Sequence, residues 1–202
     1  MEKSPKKEGI LTRGKIKDKR AAILNAALSL ITSNGFHGTS MKMIAEKAEI
    51  ATGTIYVHFD DKEEMIINLY EEIGQEINAI ISELLRNDDT FHQKFISIWT
   101  AILKLYIVDP RKPEFITQYA YSPYITTTQG KSDNKLFEPI VSFFEEAKKA
   151  DIIKNMPFEA LIALSHSPIA SFVRMAKYEK IQLTDLEVKN YSQACWDAIK
   201  NN

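Results

Sequence analysis

Apolar residues recur along this chain at the three-and-four spacing of helices. Ile23, Ala27, Leu30 and Ile31 share one face, and Ser33–Gly35 supplies a C-terminal stop. A short helix follows, with Met41, Ile44, Ala45 and Ala48 in phase and Ser40 placed to cap it. The stretch Thr52–His58 predicts a second short helix, and a tight connection over Glu49–Ala51 separates the two. Asp61, with Glu64 three residues on, has the spacing of a capping box. The long helix it opens carries Ile66, Leu69, Ile73, Ile77, Ile80 and Leu84. Five further helices are expected near 91–108, 111–121, 131–150, 157–178 and 184–200, punctuated by Asp109–Pro110, Pro123, Gly130 and Asn155–Pro157. No alternating β-branched run interrupts them, so the expected fold is all-α with about nine helices.

Charge adds an asymmetry. Residues 1–20 carry eight Lys or Arg against three acids, whereas the chain as a whole has a formal net charge of −1. A basic head on an acidic body suggests that the head meets a polyanion. On charge alone, a basic tail that serves only solubility stays open. Residues 1–15, with Pro5, Gly9 and Gly14, read as a flexible arm. The expected organisation is that arm, a helix-turn-helix head over 16–62, and a body over 63–202 whose residues 63–86 form a connecting helix.

Composition removes several function classes. The N-terminal lysines precede no apolar run, so no signal peptide is expected, and Lys104 interrupts the most apolar stretch well short of a membrane span. One cysteine, Cys195, allows no internal disulfide and fits a reducing, cytoplasmic setting. His37, His58, His92 and His166 are dispersed without metal-ligand spacing, and an all-helical chain has no strand-borne phosphate loop. No metal, cofactor or catalysis is expected.

Two short helices joined by a tight turn in a basic region point instead to a DNA-binding helix-turn-helix unit. Met41–Ala48 would cross the phosphate backbone and Thr52–His58 would enter the major groove. Gly53 permits close main-chain approach, and Thr52, Thr54 and Tyr56 offer hydroxyls to phosphates or base edges. Ile55 and Phe59 would anchor the inner face.

The run ILNAALSLITSNGFHGTSMKMIAEKAEIATGTIYVHFDDKEEM, Ile23 to Met65, resembles the DNA-binding domain of tetracycline-repressor-type (TetR family) transcriptional regulators. Its NGF, TS, IA, GTIY, F and KEE elements fall at matching positions without a gap. The resemblance implies a homodimer that reads a palindromic operator in double-stranded DNA with paired recognition helices. Carried over by position, Thr39, Ser40, Tyr56, His58 and Lys62 would contact phosphates, while Thr52, Gly53, Thr54 and Val57 would face bases. Two positions depart from the pattern. Glu49 stands where glycine is frequent, at a cost of about 1 kcal/mol if the turn is left-handed. Ala51 stands where a capping serine is common, and Thr52 is an alternative cap.

The body would then receive the signal. Phe95, Trp99 and Tyr106 line one helix face, and Tyr121, Phe144, His166 and Phe172 add to the set. Such residues can enclose a small apolar or aromatic effector, although plain core packing explains the same aromatics. Pro168 should kink the helix over 157–178. By position, that helix and the one over 184–200 resemble the family's dimerisation pair, with Leu161, Ile162, Ile169, Phe172, Tyr191, Ala194, Cys195 and Ala198 as interface candidates. The resulting expectation is a ligand-released repressor. The alternative is a helical adaptor that binds protein and has no operator.

Overall fold

The computed structural model describes residues 8–124, 136–178 and 180–201, with residues 8–18 as backbone only. Helix α1 spans Glu8–Asn34. Residues 8–15, expected in a flexible arm, are therefore helical; residues 1–7 lie outside the described residues. Gly9 and Gly14 each cost about 1 kcal/mol of helix propensity. Extension from already packed turns needs no new nucleus, however, and no proline stands between Glu8 and Asn34.

Gly35 ends α1 with φ of 72° and donates its N–H to the Ile31 carbonyl at 2.8 Å. That left-handed step is one glycine takes at little cost. Helix α2, Met41–Lys47, begins as expected, with the Ser40 hydroxyl accepting from the Met43 N–H at 3.2 Å. The regular part of α3 is short, Thr52–Ile55. Three turn residues prolong it: the His58 N–H reaches the Ile55 carbonyl at 2.9 Å, and Phe59 reaches it at 3.0 Å. Helix α4, Lys62–Leu84, carries the expected cap, Asp61 Oδ1 accepting from the Glu64 N–H at 2.8 Å. The reciprocal bond is displaced by one residue, since Glu64 takes the Asp60 N–H at 2.5 Å.

Glu49 adopts φ of 55°, the left-handed turn expected where glycine is frequent. Because the side chain is exposed, little packing offsets the strain. Glu49→Gly should therefore raise stability by up to about 1 kcal/mol. Urea unfolding of parent and variant measures this; a less stable variant would mean that the Glu49 side chain supports the turn.

The chain divides into two units, residues 1–70 and 71–202, with the boundary inside α4 rather than at its start. In the first unit, Ile23, Ala27 and Ile31 of α1 are buried, as are Ile44, Ala45, Ile55, Phe59, Met65 and Ile66. The Arg20 guanidinium lies 5.4 Å over the Phe59 ring and donates to Asn68 Oδ1 at 2.9 Å.

The second unit contains α5 (Phe91–Val108), α6 (Arg111–Ala120), α7 (Glu138–Lys149), α8 (Phe158–Ser165), α9 (Ser167–Lys177) and α10 (Asp185–Ile199). Among the described residues there are no strands, only a single bridge between Ile153 and Lys200. The helix expected over 131–150 begins at Glu138; residues 131–135 lie outside the described residues. Pro168 does more than kink its helix: α8 and α9 are separate segments that meet at His166. The ring has no N–H to give and crowds the carbonyl of Leu164, four residues back. Counted as one broken helix, they leave nine among the described residues.

Helix α5 is the axis of this unit. Thr90 and Gln93 cap it reciprocally, and Phe95, Ile98, Trp99, Ile102, Leu103 and Tyr106 are buried along it. The Trp99 ring lies 6.0 Å from Phe172, and its Nε1–H donates to the Ser165 carbonyl at 3.0 Å. Phe95 packs 5.2 Å from Trp196, and Phe172 stacks on Tyr191 at 4.5 Å.

Candidate nucleic-acid interface and effector cavity

Helix α3 has two unlike faces. Inward, Ile55 is fully buried and Phe59 nearly so. Outward, Tyr56 is 53% and Val57 79% exposed, beside exposed Thr52 and Gly53. A Cβ built on Gly53 would meet no atom within 4 Å. Among the described residues no packing therefore requires glycine there, although it lowers helix propensity by about 1 kcal/mol relative to alanine. Ala51 occupies the N-cap position without a side-chain hydrogen bond. Thr52 thus lies inside the helix and does not replace it as cap. Thr54 and His58 are half-buried.

The supporting residues divide differently from the sequence reading. Thr39 is only 2% exposed, and its hydroxyl donates to the Gly35 carbonyl at 2.9 Å. That side chain holds the turn before α2 and is not presented to a phosphate, which corrects its expected role. The exposed Ser40 hydroxyl is engaged as a cap. Lys62 Nζ donates to the carbonyls of Phe36 at 2.9 Å and Thr39 at 3.1 Å. Its ammonium therefore fastens the start of α4 to the loop before α2, leaving one of three N–H groups for an anion. Exposed Lys47 on α2, which the motif reading did not nominate, adds positive charge to this unit, whereas Lys42 lies 3.9 Å from the Glu46 carboxylate.

In the second unit a cavity of about 580 Å³ is lined from α5 and α6 by Tyr106, Glu114 and Tyr121, and from α8 and α9 by Ile162, His166 and Arg174. Three expected ligand residues, Tyr106, Tyr121 and His166, come together there. The other four do not. Phe95, Trp99 and Phe144 are buried core residues, and Phe172 is taken up by Trp99 and Tyr191. Their helices turn these rings toward other side chains rather than toward empty space. Missed residues include Arg174, Lys177 and Tyr178 near the end of α9, where Lys177 Nζ lies 5.9 Å from the Tyr178 ring. A basic last turn followed by an aromatic was the available signal.

Burial sets the chemistry of His166. The residue as a whole keeps some accessible surface, but its Nε2 has none and no hydrogen-bond partner. The ring therefore titrates as a buried group, and desolvation lowers its pKa to about 4. Burial likewise raises the Cys195 thiol, opposite to the shift that would activate a nucleophile.

Residues 23–69 match the family described as bacterial regulatory proteins, tetR family, and residues 90–200, more than half of the chain, match the tetracyclin repressor-like C-terminal domain. The chain belongs to the TetR family. A TetR-family transcription regulator from Marinobacter aquaeolei superposes with a TM-score of 0.87, at 21% identity over 94% of this chain and 100% of that one. An HTH-type transcriptional regulator of Haemophilus influenzae is 21% identical over 178 residues, 88% of this chain and 94% of the relative. The fatty acid metabolism regulator protein of Bacillus subtilis is 38% identical over 63 residues, spanning 31% of this chain and 32% of that protein.

This TetR-family chain is accordingly a helix-turn-helix transcriptional regulator and not an enzyme. Among the described residues, no helix is long and apolar enough to cross a membrane. Several expected dimer residues need correction. Leu161, Ile169 and Cys195 are buried within the single chain, so they pack its own bundle instead of a partner. Ile162, Phe172, Tyr191 and Ala198 are half-buried, whereas Ala194 is exposed. Leu164, Met175 and Leu186 are the large apolar residues that α8, α9 and α10 leave exposed.

Proposed function

We propose that the regulator binds a palindromic operator in double-stranded DNA as a homodimer and is released by a small effector held in the second unit. The outward face of α3 carries this reading. Gly53, Tyr56 and Val57 form an outward, largely exposed face, and close approach to a DNA groove explains both the glycine and the apolar exposure. Thr52 and Thr54 flank the base-reading positions, with Tyr56, Ser40, His58 and the remaining Lys62 N–H toward phosphates. Leu164, Met175, Leu186 and Ala194 supply apolar surface for pairing α8, α9 and α10 with those of a second copy. The cytoplasm is the proposed location.

Helix α4 carries residues of both units, so a ligand that moves its second-unit end also moves its first-unit end. Paired recognition helices must fit half-sites spaced by whole turns of duplex, and a shift of a few ångströms should lose one of them. About 3 kcal/mol of coupling suffices for more than a hundredfold release. The cavity holding Tyr106, Tyr121 and His166 is the proposed effector site.

Gly53→Ala separates fold from function. The added methyl meets no packed atom among the described residues, so the variant should be as stable as the parent or slightly more so. Its affinity for an operator selected from random duplexes should nevertheless fall about tenfold, as should that of Tyr56→Ala. Fluorescence anisotropy over a salt series reads both affinity and counterion release. Unchanged affinity in both variants would move the interface elsewhere, and no duplex binding at low salt would favour the protein-binding adaptor.

A further inference from the structure

Within the proposed effector cavity, one hydroxyl determines which way the chemistry of His166 faces. Ser165 Oγ lies 2.5 Å from the Leu161 carbonyl, which can only accept, so the single hydroxyl hydrogen is spent there. The same oxygen lies 2.9 Å from His166 Nδ1. With its hydrogen committed, Oγ accepts at this second contact, and Nδ1 must carry the proton. A neutral imidazole has one N–H, so Nε2 presents a bare lone pair.

That lone pair is buried and unpartnered. The rings of Phe95 and Phe144 lie steeply inclined to the imidazole with centroids 5.5 and 5.9 Å away, so its near neighbours include two apolar rings. Burial also holds the ring in its neutral form near pH 7. His166 also lines the cavity, with Tyr106, Ile162, Ala170 and Val173. Nε2 itself has no accessible surface, so a ligand meets it only by shifting the wall at His166. Fewer helical hydrogen bonds resist such a shift there, because Pro168 has no N–H to donate where α8 meets α9.

We infer that the effector is an apolar molecule bearing a hydroxyl or N–H donor, and that Nε2 of His166 receives this donor. Phenols and N–H heteroaromatics have this chemistry; hydrocarbons, ethers and ketones of the same shape do not. A carboxylate or phosphate would meet the lone pair repulsively and would have to place its charge at Arg174 and Lys177, which line the same cavity. The inference rests on the proposal that this cavity is the effector site. It adds the polarity of the ligand and the residue that selects it.

The test uses the full chain and two matched probes, 2-naphthol and 2-methoxynaphthalene, which differ in whether the oxygen can donate. Calorimetry should show 2-naphthol binding about tenfold tighter or more, because the ether leaves the buried acceptor unpaired. In His166→Phe the two probes should bind alike. The nitrogen-15 resonance of Nε2 in histidine-labelled parent protein should move with 2-naphthol and stay in place with the ether, which tests the idea without a variant. Ser165→Ala frees the tautomer and should narrow the preference. Equal binding of both probes by the parent would overturn the inference while leaving the cavity as a ligand site. A preference that survives His166→Phe would place the acceptor elsewhere. Failure of both probes to bind would remove the cavity reading and the inference with it.

Discussion

Replacement of Trp99 by alanine should destabilise the second unit by about 3–5 kcal/mol. The indole is fully buried, packs near Phe172, and donates its one polar hydrogen to the Ser165 carbonyl at 3.0 Å. Truncation therefore removes one of the largest fully buried side chains and leaves a buried carbonyl without this donor. Because the Ser165 hydroxyl lies 2.9 Å from His166 Nδ1, the damage should extend to the cavity wall. The expected result is a marked fall in melting temperature and in urea midpoint. Trp99→Phe should cost less, since most of the volume returns. The sequence reading assigned Trp99 to ligand contact, and in that case only effector response would change. A loss of stability below about 1 kcal/mol in the alanine variant would restore that assignment.

Acid should weaken the fold before its carboxylates are protonated. His166 has a native pKa lowered to about 4 from an ordinary value of 6.5 by burial. Above 6.5 both folded and unfolded chains hold this ring neutral, and the group adds no pH dependence. Between 6.5 and 4 the unfolded chain binds a proton that the folded chain refuses, so stability falls as pH falls. At 1.36 kcal/mol per pKa unit the loss reaches about 3 kcal/mol near pH 4. Asp109, whose carboxyl is held below the usual 3.8 by its hydrogen bond to Arg111, is lost only at lower pH. Urea unfolding at a series of pH values from 7 to 4.5 should therefore show a slope that His166→Phe flattens. Identical slopes in parent and variant would mean that the imidazole takes up its proton without strain.

The head was legible because its information is local. Ser40, Asp61 and Gly35 act within a few residues of their own positions, and all three do what spacing predicts. Glu49 takes the left-handed turn anticipated for it. The inward and outward faces of Thr52–Phe59 follow from helical phase. Side-chain commitments across loops were not legible. Thr39 and Lys62 both answer to backbone oxygens near the end of α1, and no periodicity reports where a free carbonyl will lie.

The amino-acid sequence by itself determined that this chain is all-helical, where most helices start and stop, and which face of α3 looks outward. These are properties of capping, helical period and turn chemistry, each acting over a few residues. Tertiary structure alone decided which aromatics are core and which meet a cavity. Phe95, Trp99 and Tyr106 share one apolar face of α5, yet of the three only Tyr106 lines the cavity between α5, α6, α8 and α9. The difference is made by α6, α8 and α9, brought from far along the chain and broken at Pro168. Periodicity says that a face is buried; whether it meets a side chain or a void depends on the surface packed opposite.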